Sequence, residues 1–191
     1  LATMEIVYGL NMLFTNATPL GGFTTEYTNV GSGKFLGLSY LVWIALVVAA
    51  ITWFIFNMTR HGKYMYAIGG NPQAAEVAGV PVKATLILIY MKAAAMYGLA
   101  GFMLGAKAGG ASVQTGYGYE MEAIAACTIG GVSVTGGRGK VSSAIIGVAV
   151  FELLKVALQY LGMNANAQYI AIGVVIFIAI SLDIRKYIAR K

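Results

Sequence analysis

Charge is what this chain has least of. Asp, Glu, Lys and Arg make up 10% of its 191 residues, against roughly 25% in an ordinary soluble domain. Hydrophobic residues make up 59%, and the mean hydropathy is +0.75. No core of this size could hide so much apolar surface from water, which excludes a soluble globule. Cysteine and histidine occur once each, as Cys127 in an apolar run and His61 among bases. That excludes a disulfide framework and a Cys/His metal centre, and no cofactor is expected. The thirteen bases outnumber the seven acids, but they fall in short clusters with no aromatic-interleaved stripe, which argues against nucleic acid. Hydrolytic chemistry lacks a Ser/His, Asp/Asp or His-Glu-His arrangement. Leu1 is not an initiator methionine and no charged leader with a cleavage site follows it. The chain therefore reads as the C-terminal part of a longer protein.

What is present is length of apolar run. Phe35 to Thr59 is twenty-five residues without a charge, ended by Arg60, His61, Gly62 and Lys63. A bilayer core of about 30 Å takes roughly 20 apolar helical residues, so this boundary reads as a span meeting the cytoplasm. The predicted class is all-α, a polytopic transmembrane helical bundle. Six apolar segments are expected: Leu1 to Phe14, Phe35 to Phe56, Ala84 to Ala106, a short one at Glu122 to Val134, Val141 to Leu161, and Tyr169 to Leu182. Lys and Arg concentrate on cytoplasmic loops. Arg60, Lys63, Lys83, Arg138, Lys140, Arg185, Lys186, Arg190 and Lys191 are nine of the thirteen bases, and all fall on one side if every segment crosses. That places the C-terminus in the cytoplasm and leaves Lys34 and Lys107 outside. The short segment requires a broken or tapering helix buried among its neighbours. Gly98, Gly101, Gly105 and Gly109 form a small-residue face suited to close helix packing.

The connection after the first long span is too ordered for a plain loop. Asn71 suits an N-cap, Pro72 the first helical position and Gly79 a left-handed terminus, with Pro81 blocking continuation. The spacing predicts a two-turn helix from about Pro72 to Ala78, too short to stand alone in water. On the residues alone, it packs against another subunit or rests on lipid headgroups. Gly136-Gly-Arg-Gly-Lys-Val-Ser142 is not a phosphate loop, because Val134 and Val141 occupy the required Gly and Ser/Thr positions. It reads as a tight turn.

The run Ala67-Ile-Gly-Gly-Asn-Pro-Gln-Ala-Ala-Glu-Val-Ala-Gly-Val80 resembles the coupling-helix loop of permease subunits in bacterial ABC sugar importers of the ribose, xylose and galactose group. Tyr119-Glu-Met-Glu-Ala-Ile-Ala-Ala-Cys-Thr-Ile-Gly-Gly-Val-Ser-Val-Thr-Gly-Gly-Arg-Gly139 is similar to that group's second signature. The ending Ser181-Leu-Asp-Ile-Arg-Lys-Tyr187 is most similar to the galactose/methyl-galactoside branch. The resemblance covers nearly the whole chain. It implies a single transmembrane permease domain over 1–191 with earlier spans absent and a cytoplasmic coupling loop at about 60–83. It further implies a homodimer in the bacterial inner membrane, a periplasmic sugar-binding protein outside and an ATP-binding subunit inside. The chain itself would catalyse nothing.

On that resemblance, Asn71, Pro72, Ala74, Ala75, Glu76 and Gly79 form the peg that couples to the ATPase subunit. Charges inside spans are costly unless paired or hydrated. Glu152 and Lys155 can pair at three-residue spacing, Lys92 has no local partner, and all three are candidates for the pathway or for buried charge. Glu120 and Glu122 read as caps of a helix start. Tyr90, Tyr97, Tyr117, Tyr119 and Gln114 could meet a sugar, or anchor helices at the interface. A ribose or xylose permease, a self-contained secondary transporter and an intramembrane enzyme are the competing classes. If the peg reading holds, Gly79→Val or Ala75→Trp inserts normally but loses ATP-driven sugar uptake. Uptake at the normal rate would defeat it.

Overall fold

The computed structural model describes residues 2–188, without the side chains at 165–166, 182–183 and 186–188. Expectations resting on Leu1, Arg190 and Lys191, and on the side chains of Leu182, Asp183, Lys186 and Tyr187, lie outside the described residues. Among the described residues the protein is all-α apart from two two-stranded ribbons. Its chain divides into two compact units, one formed by Leu1–Ala49 with Tyr90–Tyr117 and the other by Ala50–Ile89 with Gly118–Lys191.

The first unit opens with α1 (Ala2–Thr15), β1 (Leu20–Gly21) and α2 (Thr25–Ser32). Next, β2 (Lys34–Phe35) and β3 (Leu38–Ser39) pair as a hairpin. Phe35 to Ser39 was expected inside the span, but Leu36 and Gly37 both have positive φ, 51° and 82°, the geometry of a two-residue hairpin turn. Trp43 secures the hairpin by donating its indole N–H to the Phe35 carbonyl at 3.1 Å. The long helix α3 therefore begins later than the apolar tract and covers Tyr40–Met58. β4 (Gly110–Ala111), after the long helix α6 (Val82–Ala108), pairs antiparallel with β1. α2 lies on the end of α6. Tyr27 donates its hydroxyl to the Phe102 carbonyl at 2.7 Å and sets its ring edge-on to Phe102. A Cβ on Gly105 would lie 2.5 Å from that hydroxyl. Of the small-residue face anticipated on α6, only Gly105 is used in this way. Gly98 and Gly101 have nothing within 4 Å, and Gly109, at φ +66°, sits just past the helix end.

In the second unit the chain leaves α3 at Thr59, whose hydroxyl accepts from the Gly62 amide at 3.2 Å and caps α4 (Arg60–Gly70). The basic run that ends the apolar tract is thus the first turn of a helix, because Thr59 supplies its N-cap. α5 (Pro72–Val77) follows, then the start of α6. α7 (Tyr119–Ile129), α8 (Val141–Tyr160) and α9 (Ala165–Ile188) complete the described residues. α7 spans only about 16 Å at 1.5 Å per residue and stops at Ile129, short of the expected Val134. There the Gly131 and Val132 amides donate to the Thr128 and Cys127 carbonyls, a Schellman closure. Ala125 and Ala126 of α7, Phe151 of α8 and Ile172 of α9 form the core, with Ile129 and Ile176 against it.

Among the described residues three helices, α3, α6 and α8, are long and apolar enough to cross a membrane, and α9 carries a shorter apolar stretch at Ala167–Ser181. None of the most apolar 18-residue window of α3 or of α6 is buried within the chain, so these surfaces require lipid or another polypeptide as solvent. α7 and α8 instead touch through backbone. A Cβ on Gly147 would collide with the Ala126 carbonyl oxygen, and one on Gly130 with that of Ser143. We expect Gly147→Val to overpack this contact at a cost of about 1–3 kcal/mol or more. Melting in detergent should fall well below that of Gly173→Ala, whose added methyl meets nothing within 4 Å. Equal melting would remove the contact's structural importance.

Candidate functional site

α5 is a six-residue helix closed at both ends by its own chain. Asn71 Oδ1 accepts from the Ala74 amide at 3.0 Å, a cap worth about 1 kcal/mol, and Pro72 occupies the first turn where its missing N–H costs nothing. At the far end Gly79 adopts φ +82°. That lets its amide donate to Glu76 and the Val80 amide to Ala75, both at 3.0 Å, a full Schellman motif. What the helix displays is Pro72, Gln73, Ala74, Glu76 and Val77, with Val77 91% exposed.

Ala75 points the other way. It is 4% exposed, so its small size serves packing against its own chain, and Ala75→Trp would act by breaking that packing. Ala74 and Val77 are the apolar side chains on the open face.

The end of α4, immediately before α5, rests on the turn at 133–140, which joins α7 to α8. A Cβ on Gly69 would lie 2.5 Å from the Gly137 nitrogen, and one on Gly137 2.7 Å from the Gly70 nitrogen. Only a pair of bare backbones fits there. Alongside, Tyr66 donates its hydroxyl to the Gly139 carbonyl at 2.8 Å while its ring stands edge-on to Phe56. The residues resembling a phosphate loop are thus a glycine turn with positive φ at Gly136, Gly137 and Gly139. The sequence reading missed this junction, although each signature carries a Gly-Gly pair.

A second constellation joins α7 and α8. Lys155 Nζ lies 2.8 Å from Glu122 Oε2 and 3.6 Å from Glu152 Oε1, and about 6 Å from the rings of Tyr119 and Phe151. Glu122 sits in the first turn of α7, where the helix dipole favours an anion, and it is also the nearer partner of Lys155. Helical spacing suggests only Glu152, because Glu122 is 33 residues away in sequence. Lys155 and Glu122 are largely enclosed, whereas the Glu152 side chain is 58% exposed. Lys92 is half-buried and forms no ion pair among the described residues. Glu120 is exposed in the first turn of α7. Tyr90, Tyr97 and Tyr119 are exposed, as is Gln114, while Tyr117 stacks at a tilt on Tyr8.

Residues 1–180 match the family described as the branched-chain amino acid transport system / permease component. The chain is 41% identical over its full length to the galactose/methyl galactoside import permease protein MglC of Escherichia coli, and 40% identical to that of Haemophilus influenzae. It is 36% identical, over 97% of its length, to the ribose import permease protein RbsC of Bacillus subtilis. It spans 59% of the length of the first two relatives and 58% of the third. No solved structure matches it.

Leaving one member of an enclosed ion pair alone is costlier than removing both. Lys155→Met should therefore lower melting in detergent more than Lys155→Met combined with Glu122→Gln, with a coupling of about 1–3 kcal/mol. Additive effects would show that the pair is not energetically linked.

Proposed function

The chain belongs to the family of branched-chain amino acid transport system permease components, and on that premise we propose that it is the membrane-spanning conduit of an ATP-driven monosaccharide importer. The observation that carries this reading is α5. A helix of six residues with both caps closed internally and Val77 91% exposed is a rigid projection suited to a small apolar cleft on another subunit. The engine is an ATP-binding subunit on the cytoplasmic side, the delivery protein is an extracytoplasmic sugar receptor, and a second copy of the permease completes the pathway. The chain performs no catalysis. It sits in the bacterial inner membrane with its C-terminus inside, an orientation favoured by the bases at Arg60, Lys63, Arg138 and Lys140 on connections that share one side under alternate crossing. Galactose or methyl galactoside is the cargo favoured by the relatives at 41% and 40% identity, ahead of ribose at 36%.

In this mechanism Asn71, Pro72 and Gly79 keep the peg rigid, Ala74 and Val77 seat it, and Glu76 supplies its one charge. Nucleotide-driven closure of the ATPase pair displaces the peg and with it the flanking helices, alternating access to the pathway. Lys92, Glu152 and Lys155 place charge in spans, where hydration along such a pathway would stabilise it.

The test uses the full-length permease reconstituted with its ATP-binding subunit and sugar receptor in proteoliposomes. Labelled galactose should accumulate only with ATP on the cytoplasmic face, and more readily than ribose or xylose. Val77→Asp, inserted normally, should bind the ATP-binding subunit weakly and lose uptake by about tenfold or more. Uptake driven by an ion gradient without the ATPase would instead identify a secondary transporter.

A further inference from the structure

We propose that the turn at 133–140 is the second half of the coupling element. On this view Gly69, Gly137 and Tyr66 are positioning residues that transmit displacement of α5 into α7 and α8. The proposal rests on the reading of α5 as the docking peg. By covalent connection alone, α5 can pull only on α4 through Asn71 and on α6 through Val80 and Pro81. The structure adds a third attachment. The Gly69-Gly70 end of α4, immediately before the peg's cap, lies backbone against backbone on Gly136-Gly137, and the Tyr66 hydroxyl is bonded to the Gly139 carbonyl.

The attachment has little slack. With glycine on both sides no side chain intervenes that could change rotamer and absorb a shift, and close-packed interiors pass strain on. Beyond the turn the same kind of contact continues. Gly130 of α7's end meets Ser143 near the start of α8, and Gly147 meets Ala126. One turn before Ala126 on α7 and about two turns past Gly147 on α8, Lys155 grips Glu122. Peg, turn and the α7–α8 pair are therefore built to move as one body. A push at Val77 reaches the Glu122–Lys155–Glu152 group without passing through the long helices α3 and α6.

The experiment measures sugar transported per ATP hydrolysed, together with affinity for the ATP-binding subunit, in the reconstituted full-length transporter. Gly69→Ala puts a methyl into the junction and Tyr66→Phe removes only the hydroxyl while keeping the ring on Phe56. Both should bind the ATP-binding subunit as the parent does and hydrolyse ATP in response to the loaded receptor. Transport per ATP should fall about tenfold for Gly69→Ala and about fivefold for Tyr66→Phe. A purely structural loss would lower the amount of transporter and leave the ratio unchanged. If Val77→Asp uncouples while both junction variants keep the parental ratio, this inference is wrong and the docking reading stands. If Val77→Asp itself transports normally, the docking reading fails first.

Discussion

Contact between bare backbones is the constraint on which the second unit depends. In a lipid environment apolar side chains gain nothing by leaving solvent, so helices associate through close packing and hydrogen bonds. Glycine permits the closest packing there is. Gly147 against Ala126, Gly130 against Ser143 and Gly69 against Gly137 are all places where one methyl group would force the chain apart. α7 depends on this most, because eleven residues cannot cross a hydrocarbon core and the helix is held among α8 and α9.

The same solvent explains how the helices end. An unpaired backbone group in or near hydrocarbon is expensive, and the chain closes its own ends. α5, α7 and α8 all finish in paired Schellman bonds, the last through the Gly162 and Met163 amides to the Gln159 and Leu158 carbonyls. Thr59 and Asn71 cap the starts of α4 and α5. For α5 these caps matter beyond energy. A six-residue helix without them would fray, so the caps also decide that this segment keeps one shape.

Charge follows a parallel logic. Lys155 stands about 21 Å along α8 from Val141 at 1.5 Å per residue, where an isolated ammonium would be costly, and it is met by two carboxylates from two helices. Glu152 is the more distant and more exposed of the two partners. The group thus ties α7 to α8 while leaving one carboxylate to whatever lies beside the bundle.

Sequence by itself determined the solvent, the class and the short capped helix. Twenty-five uncharged residues ending in a basic cluster admit only a membrane helix, and Asn-Pro followed seven residues later by glycine dictates a short capped helix through local geometry alone. Those are nearest-neighbour effects, so they were legible. Tertiary structure decided everything that joins distant segments. Helical spacing paired Lys155 with Glu152, and only the packing of α7 on α8 brought Glu122 closer. Ala75 looked like a seat for a partner until the fold turned it inward. The hairpin at Lys34–Ser39 took residues the apolar tract had assigned to the span, because positive φ at Leu36 and Gly37 leaves no trace in hydropathy. The two glycine pairs, read separately as a loop and a turn, became one joint only when the fold set them in contact, since a residue without a side chain announces no partner.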